Sequence, residues 1–300
     1  MHVTIATLRS LFGELAQDWS RSKPAHGVTH PPIELKPLAS LGLAAHALLM
    51  ARCQVTTLGT LQGLGGSKAY VVFKRNGRVS RPFRRDFLFS SKLALRRAWS
   101  SLVLNLDLPR RRIKCTPYRI DKVLYALTHS VACAYDIFTK GDRTTAGKYF
   151  EYVLGSLVTR LVSGRLDHPP RLRIPRNYDV EIDVTVAMPG RKTGFLLATK
   201  LTSRERVVQP FVHRFMVHLL CPRRYRAVIL CGSETNKIKK PPWLQETCVH
   251  NTIEAYGAAL GWVNGLYYLD LPRAYARSRA SSHMEVSTLG RFLSTSLRRL

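Results

Sequence analysis

Asp183 and Lys200 are the residues whose types and spacing could do phosphodiester chemistry. The segment from Tyr178 to Val186 alternates: Val180, Ile182, Val184 and Val186 point one way, while Asp179, Glu181, Asp183 and Thr185 point the other. Pro189-Gly190 supplies a turn, and Phe195 to Lys200 returns as an apolar strand, which places Ala198 opposite Asp183 and leaves Ala198 and Lys200 on the same side of the ribbon. A carboxylate beside a lysine on neighbouring strands can hold a divalent cation. The ammonium can then steady a hydroxide or the negative charge that develops in a phosphoryl transition state. Asp179 lies on the same acidic face and is the alternative carboxylate. The bland readings are a surface carboxylate on a half-buried hairpin and a lysine snorkelling from a strand end.

These residues resemble the PD-(D/E)xK nuclease superfamily, in which an Asp starts the hairpin and an acidic-x-Lys tripeptide ends it. Here the tripeptide is Ala198-Thr199-Lys200, with Ala198 in place of the acidic residue and no Pro immediately before Asp183. The run Lys200-Leu201-Thr202-Ser203-Arg204-Glu205-Arg206-Val207-Val208-Gln209 is similar to the K-T-x-x-(R/K)-(E/D)-R-x-x-Q segment that follows the catalytic lysine in a group of type II restriction endonucleases. The likeness extends from Glu151 to the strand at Cys231.

The resemblance implies an α/β fold with a restriction-endonuclease-like core, a mixed β-sheet flanked by helices. It also implies site-specific, Mg²⁺-dependent hydrolysis of double-stranded DNA. With Ala198 lacking a carboxylate, the second metal-holding group would come from Glu151 on the preceding helix or Glu205 on the following one. Asp183, the Thr199 carbonyl and Glu151 would hold the metal, Lys200 would orient or activate the attacking water, and Arg206 would neutralise charge on the cleaved phosphate. Gln209 matches the segment in a supporting, DNA-contacting role. Against these roles stand simple ion pairs: Glu151 with Lys148 one turn earlier, and Glu205 with Arg204 and Arg206.

The elements that must position these groups are legible as periodicities. Val3 to Trp19 has helical spacing and is followed by a proline-rich loop; Leu38 to Arg52 reads as a mostly buried helix and Thr56 to Leu64 as a shorter helical piece. Lys68 to Phe73 and Val79 to Phe83 read as a hairpin turned by Asn76-Gly77. Thr116-Pro117 starts a helix to Phe138, and Thr144 or Thr145 starts another to Val162. Thr202-Ser203 caps a helix reaching His218, Tyr225 to Cys231 and Tyr267 to Leu271 are strands, and Ile253 to Leu260 is a helix. A boundary near Cys115 divides the chain into a basic N-terminal DNA-contacting region, residues 1–115, mostly helical with a β-hairpin, and a nuclease domain, residues 116–300.

Composition restricts the partners. The 300 residues carry 47 Lys and Arg against 19 Asp and Glu, a net charge of +28 that far exceeds what solubility needs and points to a polyanion. The charge concentrates on the hairpin and the next helix, where Arg78, Arg81, Arg84 and Arg85 read as phosphate contacts and so as DNA-binding residues. With 45% apolar residues the chain can build a core and is not a disordered tail. Its six cysteines are scattered without a C-x-x-C pair, as expected of reduced thiols in a cytoplasmic protein. No signal peptide or membrane span is read. A homodimer is expected on two-fold DNA sites, with a DNA methyltransferase gene as neighbour. The rival readings are a non-enzymatic DNA- or RNA-binding protein, and a nuclease of the same fold in recombination or transposition.

Overall fold

The computed structural model describes residues 3–22, 34–63, 66–106, 115–140, 142, 144–167, 171–172, 178–179, 182–188, 190, 193–202, 207–220, 224–241, 243–277 and 280–297. The N-terminal stretch holds helices α1 (Ile5–Ser22) and α2 (Leu35–Arg52), strands β1 (Gln54–Gly63), β2 (Gly66–Arg75), β3 (Arg78–Val79) and β4 (Phe83–Arg84), and helix α3 (Lys92–Leu106). Next come α4 (Pro117–Phe138), α5 (Thr145–Leu161), β5 (Arg165–Asp167), β6 (Arg171–Leu172), β7 (Tyr178–Asp179), β8 (Val184–Ala187) and β9 (Thr193–Lys200). The chain continues through α6 (Gln209–Leu220), β10 (Arg224–Ser233), β11 (Thr235–Lys237), β12 (Leu244–Glu246), α7 (His250–Leu260), β13 (Gly265–Asp270) and β14 (Glu285–Thr288).

The largest sheet runs β14-β13-β10-β9-β8-β5. It is mixed: β9, β10, β13 and β14 pair in parallel, whereas β8 is antiparallel to β9 and to β5. Its central strands are apolar on both faces, as a sheet covered by helices on both sides requires. Phe195, Leu197, Val228, Leu230, Tyr267 and Leu269 join the core cluster that includes α4 and α5, while Leu196, Ile229, Cys231, Leu266 and Tyr268 face α6 and α7. The first cluster also takes residues from α1, α2 and α3, so both sides of Cys115 share one core.

Local chemistry sets the ends of the helices that carry the site. Thr116 caps α4 through its Oγ1, which accepts from Arg119 N at 3.3 Å, and Pro117 fills the first turn, as its sequence predicts. Ahead of α5, the Asp142 carboxylate accepts from Thr144 N, Thr145 N and Thr145 Oγ1. Burial would raise the Asp142 carboxyl, but these bonds hold it below its usual value. At Asn76-Gly77 both residues have positive φ, 46° and 74°, the two-residue turn that this pair favours between β2 and β3.

Three readings of the sequence need correction. The expected helical piece from Thr56 is a strand as far as it is described, to Gly63: β1 pairs antiparallel with β2 over its whole length, with a bulge between Thr57 and Gly59. The β-branched run Val55, Thr56, Thr57 suits a strand, and the sparse apolar residues concealed the period. Nor is Tyr178 to Val186 one strand. β7 pairs with β6 in a separate ribbon, and only Val184–Ala187 enters the large sheet, where all four residues are buried. A strand buried on both faces has no place for an acidic side, so it begins just after the last carboxylate, Asp183. Finally, α6 starts at Gln209, with Pro210 in its first turn, and Val207 and Val208 before it are not helical, so no helix runs unbroken from the expected cap, of which Ser203 lies outside the described residues. Among the described residues no helix is long and apolar enough to cross a membrane.

Candidate active site

The β8–β9 pair sets the site's geometry. Val184 pairs with Leu197 and Ala187 with Gly194, and this register, continued by one residue, places Asp183 opposite Ala198. Gly190 supplies the turn with φ of 69°. From the bend before β8, Asp183 reaches across the end of β9: its Oδ2 accepts from Lys200 Nζ at 2.7 Å and from the Thr199 backbone N at 2.8 Å. In an extended strand one residue's N–H and C=O lie on the same edge, so the Thr199 carbonyl shares the Asp183 side. Lys200 and Asp183 are 16% and 26% exposed in their side chains, enough for solvent to reach the pair.

Helix α5 carries Glu151, the carboxylate expected to complete the site. Glu151 is buried, and its Oε2 accepts from Lys148 Nζ at 3.0 Å; the side chains are 6% and 54% exposed, so the lysine reaches in from solvent. Burial would lower the Lys148 pKa, but the bond and charge of Glu151, followed by the charges of Tyr152 and Asp183, hold it above its usual value. Lys148 therefore lies within electrostatic reach of both carboxylates. Among the described residues no three His, Cys, Asp or Glu side chains gather into a metal-binding group. A donor set of Asp183, Glu151, a main-chain carbonyl and water is made of hard oxygens and fits Mg²⁺, which keeps several waters, better than a thiophilic metal.

Glu205 and Arg206 lie outside the described residues. Gln209 is the first residue of α6 and half-buried. Beyond Lys200 the chain passes Leu201 and Thr202 along a cleft of about 700 Å³, also walled by Arg81, His129, Asp136 and Lys237. Burial drives the His129 pKa down to about 3, so this wall is neutral at His129 over the working range of pH.

Three of the four hairpin arginines hold the chain together. Arg78 Nη1 donates to the Ile137 and Thr139 carbonyls at the C-terminal end of α4, at 3.1 and 3.0 Å. Arg81 makes a two-pronged pair with Asp136, both bonds at 2.9 Å. Arg84 pairs with Asp86 at 2.8 Å through two nitrogens and reaches Asp270 at 3.2 Å with a third. The Arg85 residue is exposed, and its side chain makes no hydrogen bond or ion pair among the described residues. A sequence shows where the charges cluster, with Asp86 among them, but not that Asp136 and Asp270 return to meet them.

The fold is like that of a type II restriction endonuclease. The crystal structure of the type IIP restriction endonuclease Kpn2I superposes with a TM-score of 0.78 at 22% identity, over 95% of each chain. A complex of the restriction endonuclease PspGI with substrate DNA aligns with a TM-score of 0.41 at 11% identity, over 68% of this chain and 90% of that one. The sequence matches no family model and no curated protein.

Proposed function

We propose that the protein is a Mg²⁺-dependent endonuclease that cuts double-stranded DNA at specific sites, acting as a homodimer in a cytoplasmic restriction system with a partner methyltransferase. The observation that carries this reading is the Asp183 carboxylate bonded to both Lys200 and the Thr199 backbone at the end of β9, in a fold shared with Kpn2I. Asp183, Glu151 and the Thr199 carbonyl would hold the cation. Bound there, Mg²⁺ supplies a Lewis acid for a phosphoryl oxygen and lowers the pKa of a coordinated water. Lys200 places an ammonium beside the attacking water and the phosphate, where it orients the one and offsets charge on the other. Arg206 adds a second positive charge, and Gln209 supports the DNA contact. A net charge of +28 draws the duplex in, whereas a pure DNA binder gains nothing from carboxylates that repel phosphate. The purified protein should cut duplex DNA into discrete fragments with Mg²⁺ and leave it intact with EDTA. Binding without cleavage across unmethylated substrates, in Mg²⁺ and in Mn²⁺, would replace this reading with the non-enzymatic one.

The arginines separate scaffold from DNA contact. Arg81→Ala should reduce stability by on the order of 2 kcal/mol, because Asp136 loses charge-assisted bonds. Arg85→Ala should leave stability within about 0.5 kcal/mol and flatten the slope of log affinity against log salt by about one. An unchanged slope for Arg85→Ala in a binding series over salt concentration would remove this arginine from the DNA surface.

A further inference from the structure

We infer that Lys148 stands in for the divalent cation in the metal-free site, and that the cation binds by displacing it. This rests on the endonuclease reading and goes beyond it by giving a positioning role to a residue outside the nuclease motif. The first observation is reach. The Lys148 ammonium sits 3.0 Å from Glu151 Oε2, over a carboxylate only 6% exposed, while its own side chain is 54% exposed. It thus lies between solvent and the buried carboxylate. The second is charge. Lys148 also feels Asp183, whose described bonds go to Lys200 and the Thr199 backbone. Among the described residues two carboxylates face two lysines, so the described part of the resting site carries no net negative charge to attract a cation. The third is the cost of opening. A buried Glu151 needs a compensating positive charge when no metal is bound. A half-exposed lysine paired across one helical turn supplies it at little cost and gives it up as easily.

The consequence is competition: removing the Lys148 ammonium should strengthen cation binding, whereas loss of a merely structural ion pair would weaken it or leave it alone. The test is a titration of the full chain with Mn²⁺ alone, without nucleic acid, at about pH 8.5, reading free Mn²⁺ by electron paramagnetic resonance. Lys148→Met should bind Mn²⁺ about threefold to tenfold more tightly than wild type, the equivalent of an exposed ion pair removed from the competition. Lys148→Arg, which keeps the positive charge, should stay near wild type. Asp183→Asn should lose the site in either background. Thermal unfolding of each variant verifies that it is folded, and Lys148→Gln serves as a second neutral variant. If Lys148→Met and Lys148→Gln bind Mn²⁺ no more tightly than wild type while Asp183→Asn abolishes binding, displacement is wrong and the metal site stands. If Mn²⁺ binding ignores Asp183→Asn, the metal site itself fails, and the endonuclease reading with it.

Discussion

Replacing either Asp183 or Lys200 with alanine is expected to lower the DNA-cleavage rate by on the order of a thousandfold or more. In the proposed mechanism each removes a charge aimed at the reacting phosphate or its metal, and about 4 kcal/mol of transition-state stabilisation corresponds to that factor. The substitutions should differ in binding. Asp183→Ala removes a negative charge near phosphate and should hold or improve DNA affinity, while Lys200→Ala should weaken it slightly, so both losses appear in the single-turnover rate. Neither should unfold the protein, because the pair lies at the strand ends, where β9 stops and before β8 starts, with side chains 26% and 16% exposed. Glu151→Gln belongs in the same series and should abolish cleavage, with Glu205→Gln milder. Full activity in Glu151→Gln with loss in Glu205→Gln would move the second carboxylate to the segment after β9. Full activity in Asp183→Ala would remove the β8–β9 pair from the mechanism.

The part of this site that was legible in sequence is the part that short-range geometry dictates. Pro189-Gly190 and the apolar run from Phe195 fix the β8–β9 register, and the structure, continued one residue past Val184 and Leu197, places Asp183 opposite Ala198. Glu151 and Lys148 lie three residues apart on one helix, so their pairing was open to the same reading. Less was legible where tertiary context overrides local pattern. The acidic alternation of 178–186 looked like one half-exposed strand, but β8 is buried on both faces and cannot continue it. The ion pairs of Arg81 and Arg84 with Asp136 and Asp270 were not legible, because those partners are far away in sequence. A wider gap still separates Lys68 from Asp270, 202 residues apart, a pairing that no local pattern reveals.

That pair makes Asp270→Ala the substitution expected to damage stability most. Asp270 ends β13 with its side chain 1% exposed and accepts from Lys68 Nζ at 2.8 Å, Tyr70 OH at 2.7 Å, Ser233 Oγ at 3.2 Å and Arg84 Nη1 at 3.2 Å. Lys68 and Tyr70 belong to β2, so this one carboxylate ties the N-terminal hairpin to the edge of the sheet from which Lys200 also emerges. Removing it leaves the cations of Lys68 and Arg84 facing each other with little solvent, a loss of about 3–5 kcal/mol. Asp270→Asn keeps the shape and should lose less. Burial alone would raise the Asp270 carboxyl, but Lys68, Arg84 and the donated hydrogen bonds hold it below its usual value. The fold therefore favours the ionised form. Its contribution is complete above about pH 4, where the unfolded group titrates, and vanishes as pH falls through the lower folded value. Urea unfolding should show the difference between wild type and Asp270→Asn shrinking from about pH 6 to about pH 2, at unchanged denaturant slope. Cleavage per folded molecule should survive in both variants, because Asp270 touches none of the reacting groups. A loss under about 1 kcal/mol in Asp270→Ala would mean that the hairpin is held by its apolar contacts and that the ion cluster is incidental to the fold.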